Sequence, residues 1–453
     1  MTSISVRDPL GAGRKNELIR FSVPGRRTEA LWWAHDAQGK AVLCQRLNDG
    51  SSGTATAFAA VVSLAGETRL VLDRPVEANE EVAGIVELPG RESDCFVRLD
   101  TGAFDLELCS GRAEGLGSSK WGIKHFKGHF DDFELLPSGN NAIGGFYGPF
   151  FTPENGLINP PEHTTVEIET VEKGPVLHHY RMHGSIPDGL LPELKSKTFS
   201  IDWVFAHQSH SFSRRYRVDD FQTVINGRSV TNKITVGDEF EGGQGTLVFD
   251  RFAAMGGTRY RSGDPYAGEL VAMVAETVQG STTKSEKFNE FRAQLSDIES
   301  AHWDLYWRLF CKWEGVLSDA EITERLARVR AASHVKADLP ERVWQLTQER
   351  VDVSAEPHET IFPGPADKTV EFHSESGRAM IWWTSKPSGA FQIVQRRQSG
   401  WVNWGSNGEN ECPELPVGVE IKTAYGPFAE EWETIARQLE MPLEVSVIPT
   451  PND

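Results

Sequence analysis

From Ile19 to Gly280 the apolar residues come in short runs that alternate with polar ones and are punctuated by Gly, Pro, Asn and Asp. Such alternation puts every second side chain on one face, which predicts half-buried strands rather than helices. Val166 to Val171 alternates, Lys173-Gly174-Pro175 supplies turn chemistry, and Val176 to His183 continues as the second arm of a hairpin. Phe199 to Phe205 and Phe212 to Val218 keep the period of two, so at least four consecutive strands of one antiparallel sheet are expected. On the second strand Val176, His178, Tyr180 and Met182 share one face, and Leu177, His179, Arg181 and His183 share the other. On the fourth, Arg215 and Arg217 lie opposite Phe212, Arg214 and Tyr216. The expectation is that Val176, Tyr180 and Met182 pack on a second sheet. His179, Arg181 and His183 should then point toward the segment from Lys120 to His163.

The period changes after Lys284. Phe288, Phe291, Leu295, Ile298, His302, Leu305 and Leu309 recur at spacings of three and four, which predicts a helix ending near Gly315. Ser318 to Glu321 is a capping box for a second helix, and Asp338 ahead of Pro340 suits the start of a third. Beyond Val353 strands return at Arg378 to Thr384 and Phe391 to Arg397. They are followed by a helix with Trp432, Ile435 and Leu439 inward and a strand at Leu443 to Ile448. The fold class expected is mainly β: an antiparallel β-supersandwich with a small helical segment and a C-terminal α+β extension. The boundaries that go with it are 1–90 for an N-terminal β region, 91–282 for the sandwich core, 283–352 for the helices and 353–453 for the C-terminal region.

Charge narrows the choice of partners. The 453 residues carry a formal net charge of -19, which repels a phosphate backbone over most of the surface and argues against nucleic acid and anionic membranes. The five cysteines have neither C-x-x-C nor Cys/His zinc spacing, and are read as reduced thiols. No apolar h-region opens the sequence, and no run nears the ~18 apolar residues of a membrane span, so a cytoplasmic location is expected. P-loop, dinucleotide-binding, H-E-x-x-H and G-x-S-x-G signatures are all missing. No cofactor is required by the sequence; a divalent metal and a homo-oligomer are left open.

Two regions concentrate groups that chemistry would need. The Gly/Pro-rich stretch from Lys120 to His163 contains His125, His129, Asn141, Tyr147, Glu154 and His163. Such loops, held at their ends by strands, often carry proton donors and acceptors. The second region is the strand face with His179, Arg181 and His183 beside Arg215. There a cationic strip next to imidazoles suits a carboxylated or enolate-forming substrate. The pairs Trp32-Trp33 and Trp382-Trp383, with Trp401 and Trp404, could stack on sugar rings, although adjacent tryptophans on a strand more often divide between core and surface.

The stretch Val171 to His183, followed by Lys197 to Phe205 and Phe212 to Val218, resembles the β-supersandwich of galactose-mutarotase-like proteins and carbohydrate-lyase β domains. An E-x-G-P-V hairpin leading into long antiparallel strands carries the resemblance, which covers residues 90 to 280. It implies a carbohydrate substrate and proton-transfer chemistry, by elimination or epimerisation, on a mono- or oligosaccharide. On this reading His179 or His163 is the base, Tyr147 or His129 protonates the leaving or ring oxygen, and Arg181 stabilises developing negative charge. His125, Asn141, Glu154, His183 and Arg215 are the substrate-binding candidates. Two alternatives stay open: a glycoside hydrolase pairing Glu154 with Glu239 or Glu241, and a non-catalytic sugar-binding protein.

Overall fold

The computed structural model describes residues 2–48, 50–112, 120–137, 142–147, 166–185, 198–218, 222–225, 228–231, 233–241, 248–255, 260–261, 318, 320, 344–346, 358–361, 368–385, 392–396, 401–405, 415–416 and 418–448. The expected mainly-β fold is present as three large antiparallel sheets and a two-stranded ribbon.

The first sheet has seven strands in the order Arg14–Pro24, Ala55–Leu64, Ala41–Leu47, Leu31–His35, Glu67–Pro75, Thr2–Arg7, Glu444–Ile448. Its two edge strands touch, so the sheet rolls around its own core of Ile4, Val6, Phe21, Val23, Phe58, Leu70 and Leu72. Rolling removes the apolar face of the sheet from water. Arg14, whose side chain is fully buried, ties the roll to the C-terminal helix Trp432–Glu440. Its guanidinium bonds Asp8 at 3.0 Å, the Gln438 carbonyl at 2.9 Å and the Met441 carbonyl.

The other two large sheets face each other. One has nine strands and begins with the four consecutive neighbours expected from the alternation, Val166–Lys173, Leu177–Ser185, Thr198–Ala206 and Ser211–Val218. Glu420–Gly426, Ala379–Thr384, Lys368–Phe372, Arg251–Met255 and Trp344–Leu346 complete it, so strands from after residue 353 lie in the same sheet as the hairpin. The other has eleven strands, with Gly122–Gly128, Ile143–Tyr147, Lys233–Glu241 and Trp401–Gly405 near its middle. Tyr180, Met182, Trp203, Phe205, Phe212 and Tyr216 from the first meet Leu106, Leu108, Trp121, Ile123, Phe126 and Phe240 from the second in one continuous core. Burying a side chain of this size contributes about 1.5–3 kcal/mol, which makes the inter-sheet layer the main source of stability.

Several expectations need correction or fall outside the described residues. The third helix read from Asp338 starts outside the described residues and does not extend through Trp344–Leu346, which is a strand paired with Arg251–Met255 at the sheet edge. The helices read at 288–309 and after Ser318 lie outside the described residues. Val176 does not join the inter-sheet core. It packs with Leu177 against Leu47, Ala57 and Ala59 of the rolled sheet, because the chain is still leaving its turn at that point.

That contact docks the rolled sheet on the outer face of the nine-stranded one, and Gln45 fixes it. Its side-chain oxygen accepts from the Val176 and Leu177 amides at 3.0 and 2.9 Å, while its amide donates to the Leu177 carbonyl at 3.0 Å. Gly174 lies against the Gln45 amide, where a Cβ would collide with it. Replacing Gln45 with leucine orphans three buried backbone groups, each lost partner costing about 1–3 kcal/mol. We expect the Gln45→Leu protein to melt lower and to be nicked by protease at the junction of the two units. An unchanged melting curve would show that the apolar contacts alone hold them.

Candidate active site

Docking leaves a cleft of about 610 Å³ between the rolled sheet and the outer face of the nine-stranded sheet. Its floor is set by strand register. Glu169 lies opposite Arg181, Arg181 opposite Asp202, Asp202 opposite Arg215, and Arg215 opposite Glu420, so five neighbouring strands form one row of alternating charge. Directly opposed unlike charges stabilise such a ladder, and a one-residue slip would carry the whole row to the apolar face. Glu17 to Arg20 and Pro442, Leu443 and Val445 form the facing wall.

Asp202 is the hub. One of its oxygens accepts from His179 Nε2 at 2.9 Å and from Arg181 Nε at 2.7 Å, and the other lies 3.0 Å from a terminal nitrogen of Arg217. Both His179 and Asp202 are 7% exposed, whereas the side chains of Arg215 and Arg217 are 43% and 48% exposed and open into the cleft. Burial alone would raise the Asp202 carboxyl. The hydrogen bonds from His179 and Arg181 and the charges of Arg181 and Arg217 outweigh it and hold the group at about 2. Since the ordinary value is 3.8, the stability contributed by this ionised group is complete above that pH and is lost as pH falls toward 2. Acid unfolding should therefore separate wild type from Asp202→Asn above pH 4, with the two curves converging near pH 2. Curves that remain equally separated at both ends would contradict this linkage.

Glu17, on the facing wall, is shifted the other way. Burial raises its carboxyl above the ordinary range against the opposing charges of Arg14 and Lys422, and Arg14 lies 3.6 Å from it. These two carboxyl groups of the cleft are therefore shifted in opposite directions, Asp202 downward and Glu17 upward.

The structure divides the residues picked from sequence. His179, Arg181 and Arg215 line the cleft, and His183 sits beside them with its Nε2 3.2 Å from Glu169. They do not point toward the described part of the 120–163 segment. Trp121, Ile123 and Phe126 draw its described part into the inter-sheet core, on the opposite side of the nine-stranded sheet. His125 is held between Glu92 at 2.8 Å and Glu134 at 3.2 Å, on a register shift that gives it a φ of 51°. His129 bonds Asp100 at 3.0 Å. Tyr147 ends a strand of the eleven-stranded sheet, and Glu239 is paired with Lys120. Asn141, Glu154 and His163 lie outside the described residues, as does the side chain of Glu241. Among the described residues no three His, Cys, Asp or Glu side chains are grouped to hold a metal ion, and no helix is long and apolar enough to cross a membrane. Trp382 and Trp383 divide between faces: Trp382 is fully buried, and Trp383 lies under Lys422.

Asp202, Arg217 and Glu17 complete the cleft without having been singled out as site residues. Asp202 was detectable as an acid on the same strand face as the solvent-side groups of its neighbours. Glu17 carried no signal, since it comes from a sheet more than 150 positions away from His179 in sequence.

No family model matches the chain, and no curated protein matches it. Among solved structures, a glycosyl hydrolase family 38 protein from Enterococcus faecalis is similar over 99% of this chain and 47% of its own, at 9% identity and a TM-score of 0.45. An alpha-mannosidase from Enterococcus faecalis is similar over 99% of this chain and 46% of its own, at 9% identity and a TM-score of 0.42. A putative aldose 1-epimerase from Klebsiella pneumoniae is similar over 93% and 95%, at 9% identity and a TM-score of 0.32. The chain spans less than half the length of the first two.

Proposed function

We propose that the cleft binds a saccharide carrying a carboxylate and catalyses proton transfer at the carbon next to it. The observation that carries this is the His179–Asp202 pair flanked by Arg181 and Arg217. Asp202 takes the proton-bearing Nε2 of His179, which leaves Nδ1 as the acceptor. His179 removes the proton, the electron pair passes into the carboxylate as an enolate, and Arg215 and Arg217 hold the charge that builds there. Glu17 returns a proton, either to a departing oxygen, which completes elimination, or to the opposite face of the same carbon, which completes epimerisation.

The class of ligand follows from charge. In a chain with a net charge of -19, this cleft is lined by Arg20, Arg181, Arg215, Arg217 and Lys422 against Glu17, Asp202 and Glu420. Ser209, Ser211, Ser213 and Gln438 add hydroxyl and amide groups of the kind a polyol pairs with. A binding protein would need aromatic platforms more than proton carriers, and Tyr180, Tyr216 and Tyr425 all point into the core instead.

Calorimetry with uronate-containing and neutral oligosaccharides, followed by chromatography of the mixtures, tests the proposal. The uronates should bind and be converted. Arg217→Ala should weaken their binding about 10- to 100-fold, the equivalent of one or two charge-assisted hydrogen bonds. Equal binding of neutral sugars, or saturable uronate binding without product, would exclude it.

A further inference from the structure

On the eleven-stranded sheet, Cys95–Asp100 and Phe104–Cys109 form a hairpin in which Cys95 lies directly opposite Cys109. The Ser110 amide donates to the Asp94 carbonyl at 2.9 Å, which makes 94/110 a hydrogen-bonded pair and therefore makes 95/109 the neighbouring non-hydrogen-bonded pair. In that kind of pair the Cα atoms are about 4.5 Å apart and the side chains closest, within the span a disulfide bridges without backbone movement. Both cysteines are free, and Cys95 is close enough to Cys109 to raise its thiol. Cys95 is partly exposed while Cys109 is fully buried. Space for the Cys95 sulfur exists because residue 90 is glycine; a Cβ there would come within 2.7 Å of it.

We propose that Cys95 and Cys109 are a redox modification site that closes to a cross-strand disulfide when the protein meets a low-molecular-weight disulfide. The Cys95 thiolate attacks oxidised glutathione, forming a mixed disulfide and releasing one glutathione thiol. Cys109 then gives up its proton and attacks the Cys95 sulfur, releasing the second. Two protein thiols are oxidised and one glutathione disulfide is reduced to two thiols. The order of attack follows from exposure, since only Cys95 can be reached from solvent. Closure would also fix the segment that carries Arg91 and Glu92, whose side chains reach Glu134 and His125.

Native protein treated with excess oxidised glutathione, alkylated and digested with trypsin tests this directly. Cleavage after Arg91, Arg98 and Arg112 separates the two cysteines, so a closed bridge appears as peptides 92–98 and 99–112 joined and lighter by two hydrogens. The bridged protein should melt a few degrees higher than the reduced one. Cys109→Ser, lacking the second thiol, should accumulate glutathione on Cys95. Two separately alkylated peptides from treated wild type, or a glutathione adduct that persists on its Cys95 without linking, would overturn the proposal. So would a Cys109→Ser protein that takes up no glutathione while wild type links.

Discussion

An Asp238→Ala protein should lose about 3–5 kcal/mol of stability, read as a lowered urea midpoint with little change in slope. Asp238 is fully buried between the two facing sheets, where it binds Arg214 through both oxygens, at 2.6 and 2.7 Å. Trp382 Nε1 and the Gly144 amide each donate to it at 2.8 Å. Gly144 adopts a φ of 92°, and a Cβ there would run into the Trp203 ring, so the close approach of the two sheets depends on that glycine. Removing the carboxylate strands a guanidinium with no water to replace it. The pair itself need not be stabilising relative to an apolar core, and a double Arg214→Met, Asp238→Leu protein should regain much of the loss. A single variant within 1 kcal/mol of wild type would mean that water enters the layer. Glu371 sharpens the point. It is fully buried in the same core, neither oxygen has a hydrogen-bond partner among the described residues, and burial together with the charge of Asp238 pushes its carboxyl well above the ordinary range.

The largest functional effect should come from His179→Ala. If His179 is the base, turnover of a uronate substrate should fall about 10²- to 10⁴-fold with much smaller change in binding, since Arg215 and Arg217 are untouched. The fold should survive, because Asp202 keeps Arg181 and Arg217 as partners. Asp202→Asn should depress turnover without removing the imidazole, because an amide facing Nε2 can donate to it and so favour the tautomer with its proton on Nδ1. Full turnover in both variants would remove the pair from the mechanism.

Which strands form and which way they face were legible because alternation reports both directly. Tyr180, Met182, Phe212 and Tyr216 went inward, and His179, Arg181 and Arg217 went outward, as the period of two requires. What covers the outward face was not legible. The 120–163 segment reads as a polar loop, yet in its described part the apolar residues beside the histidines outweigh them: Trp121 and Phe126 are worth more buried than His125 and His129 are in a cleft. The cleft is walled instead by a sheet whose docking rests on Gln45, a residue with no pattern around it. Nor could alternation reveal the charge row. It depends on which residue of one strand meets which of the next, and the connections between strands set that register.

The rolled sheet is closed by Glu444–Ile448 lying against Thr2–Arg7, and Arg7 bonds Glu444 across 437 positions of chain. During synthesis the Thr2–Arg7 strand must therefore wait, with one row of backbone donors and acceptors unmatched, until Glu444–Ile448 has been made. Loop closure over such a separation is slow, and an unmatched strand invites pairing with other chains in the interval. The rolled sheet thus cannot finish folding before the strands of the other two large sheets have been made. A ribosome stalled before residue 444 would display Thr2–Arg7 as an open edge, which Glu444–Ile448 covers in the folded molecule.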